Sequence, residues 1–190
     1  MVKLRSYSTP SLWLALAVAG LSACGDDAAG NDNDGPFPAL DEAPTFAVVH
    51  TDFQSTSISL LDEDVNILAQ NWFTSGTTFP GLVAALSGDV AVVPGRGPDG
   101  AITVIDRFQT DVITRIRPLE GEVIGQLRTQ TDIDYSSNPQ DVAFLSANRA
   151  FVSRFEPNPA PSDASESGTD LIGFDPSTME RTDERVPLGQ

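Results

Sequence analysis

The 190-residue chain contains one cysteine and one histidine, and each scarcity excludes a class of protein. A single Cys excludes both a disulfide framework and a zinc site built on Cys pairs. A single His, His50, excludes any metal site that needs two imidazoles. The 27 acidic residues outnumber the 11 basic ones and give a formal net charge of -16. Nucleic acid is therefore excluded as a partner, because its binding depends on Lys and Arg.

The first 24 residues have the organisation of an export signal. Lys3 and Arg5 form a short basic region, and residues 12–21 form a continuous apolar run. Ten residues make about 15 Å of helix, whereas the hydrocarbon core of a bilayer is roughly 30 Å thick. The run is too short for a stable membrane span, so we expect a signal peptide over residues 1–23.

The apolar run ends in Leu21-Ser22-Ala23-Cys24, which resembles the lipobox of bacterial lipoproteins. This resemblance implies cleavage before Cys24, lipidation of its thiol and anchoring in a membrane by the acyl chains. Gly25 follows the cysteine, which favours the outer membrane, facing the periplasm or the cell surface. The alternative is an ordinary signal peptide that is cut near Ala23, with Cys24 incidental.

Residues 24–44 are rich in Gly, Asp, Asn and Pro and predict an acidic, flexible tether. Asp32, Asp34 and Gly35 match part of a calcium-binding loop, but Gly30 stands at its first ligand position, so a solvated linker is the better interpretation. Loss of the two basic residues of the signal changes the formal charge from -16 to -18. We therefore expect the body of the protein to stand away from anionic lipid.

From residue 45 to residue 190 the pattern changes to short β-rich runs separated by turns, and three segments align. Each contains an apolar strand, a loop, a second apolar strand that ends in Asp, and a more polar strand. These aspartates are Asp62, Asp106 and Asp175. An Asp at this position can accept hydrogen bonds from the turn that follows, which explains its recurrence without a function. Units two and three also carry an earlier strand, at residues 82–86 and 141–145.

Four-stranded antiparallel units repeated along a chain are the blades of a β-propeller. We therefore predict an all-β fold, a partial β-propeller of about three four-stranded blades with the first incomplete. Closed propellers have about four to eight blades, so we expect the chain to be the N-terminal part of a larger propeller. The alternative is a three-unit protein that associates with itself to bury its end faces.

The third unit carries a family resemblance. Residues 138–144, 149–152 and 171–175 resemble the repeat of YVTN-type and lactonase-like β-propellers. The chain departs from that repeat in having Phe151 where the family has Tyr, and in two insertions at residues 120–138 and 156–168. The resemblance implies architecture only, because the same blades occur in binding proteins, lactone hydrolases and quinoproteins.

Few side chains offer recognisable chemistry. His50 ends the first apolar strand, where a catalytic base would need a partner from another blade, and a structural or solvated His is the alternative. The sequence has no G-x-S-x-G nucleophile elbow. Residues 94–100 contain G-x-G, but they join two strands and open no helix, which argues against a dinucleotide site.

Two acidic loops and several aromatic residues complete the candidates. Asp132 with Asp134, and Asp163 with Glu166, offer oxygen ligands for Ca²⁺, but acidic loops of exported proteins are usually solvated, so we predict no metal and no cofactor. The insertion at residues 156–168 is the expected contact surface, although its Pro and Ser content also fits an inert loop. We expect most aromatic residues at strand ends to fill gaps between blades and one or two to line a ligand groove. They are Phe53, Trp72, Phe73, Phe79, Phe108 and Phe155.

The sequence thus predicts a lipid-anchored, extracytoplasmic binding or scaffold module that presents loops to an envelope protein or a small ligand. One alternative is a lactonase-like hydrolase or a quinoprotein-type oxidoreductase whose site is completed by absent blades. Another is a structural envelope protein. A binding role is preferred to an enzymatic one because no catalytic set is recognisable.

Overall fold

A computed structural model of the chain describes residues 2–3, 37–78, 82–95, 97–107, 109–132 and 134–188. These residues form β-strands and one short 3-10 turn, Ala164–Glu166, so the predicted all-β class is confirmed. Within the described ranges, no helix is long and apolar enough to cross a membrane. Cys24, most of the signal and tether, and the partial calcium loop lie outside them.

The strands form three four-stranded antiparallel sheets, each in chain order. The first sheet contains β1 (Val2–Lys3), β2 (Phe46–Thr51), β3 (Thr56–Leu61) and β4 (Ile67–Thr74). The middle sheet contains β5 (Val90–Val92), β6 (Ile102–Asp106), β7 (Val112–Arg117) and β8 (Glu122–Arg128). The third sheet contains β9 (Pro139–Ser146), β10 (Arg149–Pro157), β11 (Gly168–Asp175) and β12 (Glu180–Pro187).

The three sheets stack face to face, and the middle sheet is buried on both sides. Ile102 and Val104 on β6 belong to the core shared with the first sheet, whereas Ile105 belongs to the core shared with the third. Successive side chains of a strand point to opposite faces, so a strand buried on both faces is expected to be apolar over most of its length. Each of these three side chains is at most 1% exposed, and such burial stabilises the fold by about 1.5–3 kcal/mol per side chain.

The packed body begins earlier than the sequence predicts, because the last part of the predicted tether lies against the sheets. Phe37 is 3% exposed, and its ring centroid lies 4.8 Å from that of Trp72 and 5.1 Å from that of Phe73. The backbone N–H of Leu40 donates to the carbonyl of Leu119 at 3.2 Å. Phe37 therefore belongs to the core, and Leu40 packs against it.

The first sheet also has a fourth strand where the sequence predicts none. Val2–Lys3 pairs antiparallel with β2, with Val2 opposite Ala47 and Lys3 opposite Phe46. The first unit, predicted without an initial strand, thus has a two-residue one in the full-length chain. Cleavage of the predicted signal peptide would remove this strand.

The middle unit differs most from the prediction. Residues 82–86 form no strand. Instead, the Gln126 side chain hydrogen-bonds to the backbone of Ala84. Its Oε1 accepts from the N–H of Ala84 and its Nε2 donates to the carbonyl of Ala84, both at 3.0 Å. Gln126 belongs to β8, a strand that lies inside the segment predicted to be an insertion at 120–138. The sheet gains its fourth strand at the end of the unit and not at the beginning.

The repeated aspartates show the same displacement. Asp62 follows the third strand of its sheet, and Asp175 ends the third strand of its own sheet. Their carboxylates accept hydrogen bonds at 2.8 Å from the N–H groups of Asn66 and Ser177 respectively. Asp106 ends the second strand of its sheet. Its carboxylate accepts from the N–H of Ser87, which lies earlier in the chain, in the linker before β5, at 2.7 Å. The sequence repeat is therefore one strand out of step in the middle unit.

Candidate functional site

Turns and linkers from all three sheets meet at one end of the stack, which we call the loop end. It consists of the β2–β3 turn, the linker that precedes β5, the β6–β7 turn, the β8–β9 linker and the β10–β11 loop. Loops carried by a rigid scaffold are where proteins most often place their binding residues.

The first and middle sheets are joined at the loop end by a close contact around Gly88. The hydroxyl of Thr51 donates to the carbonyl of Gly88 at 2.6 Å. A Cβ atom at position 88 would lie 2.1 Å from the carbonyl carbon of Phe53, so only glycine fits there without movement of the turn. The Nε of Arg107 donates to Asp89 at 2.8 Å and ties the next turn to the same linker.

Asp111 fastens the β8–β9 linker to the middle sheet. Its carboxylate is fully buried and accepts from the hydroxyls of Ser136 and Ser137 at 3.1 and 3.2 Å and from the N–H of Asn138 at 2.8 Å. A buried carboxylate costs free energy unless it is hydrogen-bonded in this way. The linker is thus held in one position although it has no regular secondary structure.

A buried ion-pair cluster holds the β10–β11 loop. Arg154 donates to both oxygens of Asp170, at 2.7 and 2.8 Å, and neither side chain is exposed. Glu166, from the loop itself, accepts from Arg181 at 2.6 Å and from the N–H of Thr131 at 3.1 Å. The loop is therefore anchored from below by charges on β10, β11 and β12.

The environment of the cluster shifts the ionisation of its members. Burial opposes the charged form of Asp170, but hydrogen bonds from Arg154 and Arg185 and their positive charges outweigh it, so the pKa of this carboxyl is lowered. Burial raises the pKa of the neighbouring phenol of Tyr135 to about 12. The Tyr135 hydroxyl, which stays protonated, donates to the carbonyl of Glu156.

Two open clefts lie at the loop end. One, of ≈ 470 Å³, lies between the middle and third sheets and is lined by Gln109, Gln130, Asp134, Tyr135 and Glu156 with neighbouring prolines. The other, of ≈ 530 Å³, lies beside the β2–β3 turn. Both have mixed polar and apolar walls, and acidic side chains contribute to each.

Two phenylalanines stand out from this polar surface. Phe53, at the tip of the β2–β3 turn, is 84% exposed and has a φ of 65°, a left-handed conformation that is rare for a bulky residue. Phe155 is 63% exposed, and its N–H donates to the carbonyl of Ser137 at 3.0 Å. Exposed aromatic residues on a fixed backbone are typical anchors of protein interfaces.

The structure separates the predicted site residues. His50 is exposed and lines the cleft beside the β2–β3 turn. Asp132 accepts from the Asn158 amide at 2.7 Å, and Asp163 accepts from the N–H of Ser165 at 2.6 Å. Across the part of the chain that the structure describes, no three His, Cys, Asp or Glu side chains are grouped as metal ligands.

The 94–100 loop and the aromatic residues singled out in the sequence can also be located in the structure. The 94–100 loop joins β5 to β6, and its Asp99 pairs with the buried Arg115. Trp72 and Phe73 fill the core as expected, while Phe79 and Phe108 lie outside the described residues. The sequence did not reveal the cluster of Arg154, Glu166 and Asp170, because its members are spread along the chain without a motif.

Comparisons with protein-family models, curated proteins and solved structures found no match to this chain. The functional argument therefore rests on the geometry of the loop end.

Proposed function

We propose that the protein is a lipid-anchored, extracytoplasmic binding module of the β-propeller type that binds an envelope protein through its loop end. The blade interpretation is supported by the stacking of three antiparallel sheets, which keep three, four and four strands when the predicted signal peptide is removed. It is also supported by the polar strand β12, which suits the outer edge of a blade because charged residues discourage further strand pairing.

The observation that carries the binding role is the exposure of Phe53 on a turn that is fixed on both sides. The Asp52 carboxylate accepts from the N–H groups of Gln54 and Ser55 at 2.9 and 2.8 Å, and Gly88 packs against the turn from the neighbouring linker. A preorganised aromatic side chain loses little conformational freedom on binding, so more of its interaction energy contributes to affinity.

The membrane anchor at Cys24 is inferred from the sequence. In the mature chain that cleavage before Cys24 would leave, residues 25–36 separate Cys24 from Phe37, the first residue that the structure describes after it. Thirteen steps of a flexible chain span about 20 Å root-mean-square. Such a spacer lets the loop end reach a protein partner beside the membrane, and the net charge of the chain keeps the body from lying on anionic lipid.

The test compares two exposed apolar side chains that both sit at turns with positive φ. Phe53 lies at the loop end, and Val65, which is 54% exposed with a φ of 68°, lies at the opposite end of the first sheet. Full-length tagged protein is cross-linked in its own membrane, and the attached proteins are quantified by mass spectrometry. We expect Phe53→Ala to lower the yield of the major adduct roughly 30-fold, as for an interface hot spot.

Val65→Ala should leave the adduct unchanged. The proposal fails if Phe53→Ala retains the full yield while the protein is folded and membrane-bound. It fails equally if both variants lose the adduct to the same extent, because the loop end would then have no special role.

A further inference from the structure

The cleft beside the β2–β3 turn, of ≈ 530 Å³, is built from residues with polar side chains. Every described residue that lines it has one except Gly76, so the apolar part of its walls consists of the carbon atoms of polar residues and of this glycine. Its volume is within the range of about 300–1,000 Å³ that is usual for ligand sites. All of these residues lie between positions 50 and 76, so they remain in the chain after the proposed cleavage before Cys24.

A row of side chains across three strands forms one side of the cleft. His50 lies opposite Ser57 in the register of β2 and β3, and Ser57 lies opposite Thr74 in the register of β3 and β4. Residues that face each other across antiparallel strands project from the same side of the sheet. Their sequence neighbours Ile58 and Phe73 pack in the core shared with the middle sheet, so this row points to the outer side of the first sheet.

A bulge in β4 adds an amide side chain to the cleft. Ile58 and Leu60 are two residues apart on β3, whereas their partners Phe73 and Ala69 are four residues apart on β4. The extra residues include Asn71, which has a φ of 50° and lines the cleft. Bulges commonly redirect a side chain next to a functional site, and here the bulge brings Asn71 beside the row of polar side chains.

Several polar groups at the cleft have unused hydrogen-bonding capacity. The Thr56 side chain is 3% exposed, and its hydroxyl has no hydrogen-bond partner within the described residues. Among the same residues, the side chains of His50, Ser57 and Asn71 make no hydrogen bond, and the Asp52 carboxylate accepts its hydrogen bonds through Oδ1 alone. Hydroxyl, amide and imidazole groups both donate and accept, which is what a ligand rich in hydroxyl groups requires.

The charge of the cleft narrows the class of ligand. Among the described residues that line it, none is Lys or Arg, and Asp52 is the one acidic residue. A phosphate or carboxylate ligand would therefore meet a carboxylate and no strong cation, in a chain of net charge -16. An alkyl chain would find no apolar side chain to cover it. An uncharged ligand with many hydroxyl groups meets neither obstacle.

We infer that this cleft is a binding site for a neutral oligosaccharide. Its hydroxyl, amide and imidazole groups would hydrogen-bond to the sugar hydroxyls, while the carbon atoms of its walls would contact the C–H faces of the sugar rings. Protein binding at Phe53 is a separate function, and the cleft would bind saccharide with or without it.

The experiment uses the full-length protein in micelles of a detergent without a sugar headgroup. Cellotetraose and chitotetraose are titrated into it by isothermal titration calorimetry, and tetragalacturonate is the anionic comparison. We expect at least one of the neutral tetrasaccharides to bind with a Kd of about 0.1–1 mM. Tetragalacturonate should bind at least roughly tenfold more weakly, because the cleft offers it a carboxylate and no strong cation.

Two substitutions remove hydrogen-bonding groups from the cleft while keeping the backbone. Ser57→Ala removes one hydroxyl, and Asn71→Gly removes the amide at a position whose positive φ glycine tolerates. We expect each to weaken saccharide binding roughly 5-fold. Asn138→Gly is the matched control, because Asn138 also has a positive φ, of 48°, but does not line the cleft. Its affinity should equal that of the parent, and thermal melting followed by circular dichroism shows which variants are folded.

The saccharide site is refuted if neither neutral tetrasaccharide gives a binding signal at about 10 mM, or if tetragalacturonate binds as tightly as they do. It is refuted as well if the folded Ser57→Ala and Asn71→Gly proteins keep the parent's affinity, or if Asn138→Gly loses as much as they do. Should one cleft variant fail to fold, the other decides. The Phe53-dependent adduct is measured without added saccharide, so its loss or retention leaves these outcomes unchanged.

Discussion

Asp106 and Asp170 are both buried carboxylates near the loop end, yet their surroundings act in opposite directions. For Asp106, burial outweighs the hydrogen bonds from Ser87, and the pKa is raised above its ordinary value of 3.8. For Asp170, burial is outweighed by Arg154 and Arg185, and the pKa is lowered. The difference lies in the partners, since a hydroxyl stabilises a carboxylate much less than two guanidinium groups do.

These shifts predict opposite pH dependences of the free energy of unfolding. A lowered pKa contributes stability above the ordinary value of 3.8, and that stability is lost as the pH falls through the folded-state pKa. Asp170→Asn should therefore cost about 3–5 kcal/mol near neutral pH, because it leaves Arg154 buried without its counter-charge. The cost should shrink as the pH falls below 3.8, as measured by urea unfolding.

Asp106→Asn serves as the matched comparison. A raised pKa contributes stability below the ordinary value of 3.8 that is lost as the pH rises through the folded-state pKa. Relative to the parent protein, the Asp106→Asn variant should therefore gain stability as the pH rises. If the two variants show the same pH trend, the buried partners assigned to these carboxylates are wrong.

Strands were predictable where one short pattern determines them. The strands of the third sheet lie close to their predicted positions, because apolar alternation and turn residues bound each one. In the middle sheet, the strand predicted at residues 82–86 is absent. Leu86 of this apolar run packs in the core, but the run pairs with no strand, because the Gln126 side chain hydrogen-bonds to the backbone of Ala84. The strand β8 was missed because a polar edge strand with an internal glycine has a weak β-signal.

The loop end was predictable only in part. The 156–168 insertion was recognised as a loop, but its anchoring depends on Glu166, Arg154 and Asp170, whose proximity is set by strand pairing. No local spacing encodes such a contact. The exposed Phe53 was singled out as an aromatic residue at a strand end, but its exposure follows from the turn conformation and not from its neighbours in sequence.

The contact between the β2–β3 turn and the following linker predicts a difference between two glycines. A Cβ at Gly88 would meet the Phe53 backbone at 2.1 Å, whereas the nearest atom to a Cβ at Gly76 is 3.5 Å away. Gly88→Ala should therefore destabilise the protein by about 1–3 kcal/mol, and Gly76→Ala should stay within about 0.5 kcal/mol of the parent. Thermal unfolding measures both.

Gly88→Ala should also reduce the Phe53-dependent adduct, because the turn must move to admit the new methyl group. Equal melting temperatures for the two glycine variants would show that the first and middle sheets do not meet at the loop end as described.

The whole molecule combines a stack of three sheets, a loop end fixed by buried polar contacts, and a sequence that predicts export and lipidation. The two end faces of the stack and the loop end are separate surfaces, so Phe53 stays accessible at the loop end. The proposed lipidation would place the protein at a membrane, because acyl chains contribute about 0.8 kcal/mol per buried CH₂ and more than one chain gives stable anchoring.

The mass of the intact protein extracted from its own membrane, with a map of its N-terminal peptide, tests the anchored module. We predict an N-terminal Cys24 that carries acyl chains, and release of the Cys24→Ser variant from the membrane fraction. An N-terminus at Met1, or a mature Cys24 with an unmodified thiol, would contradict lipid anchoring and with it the proposed place of action.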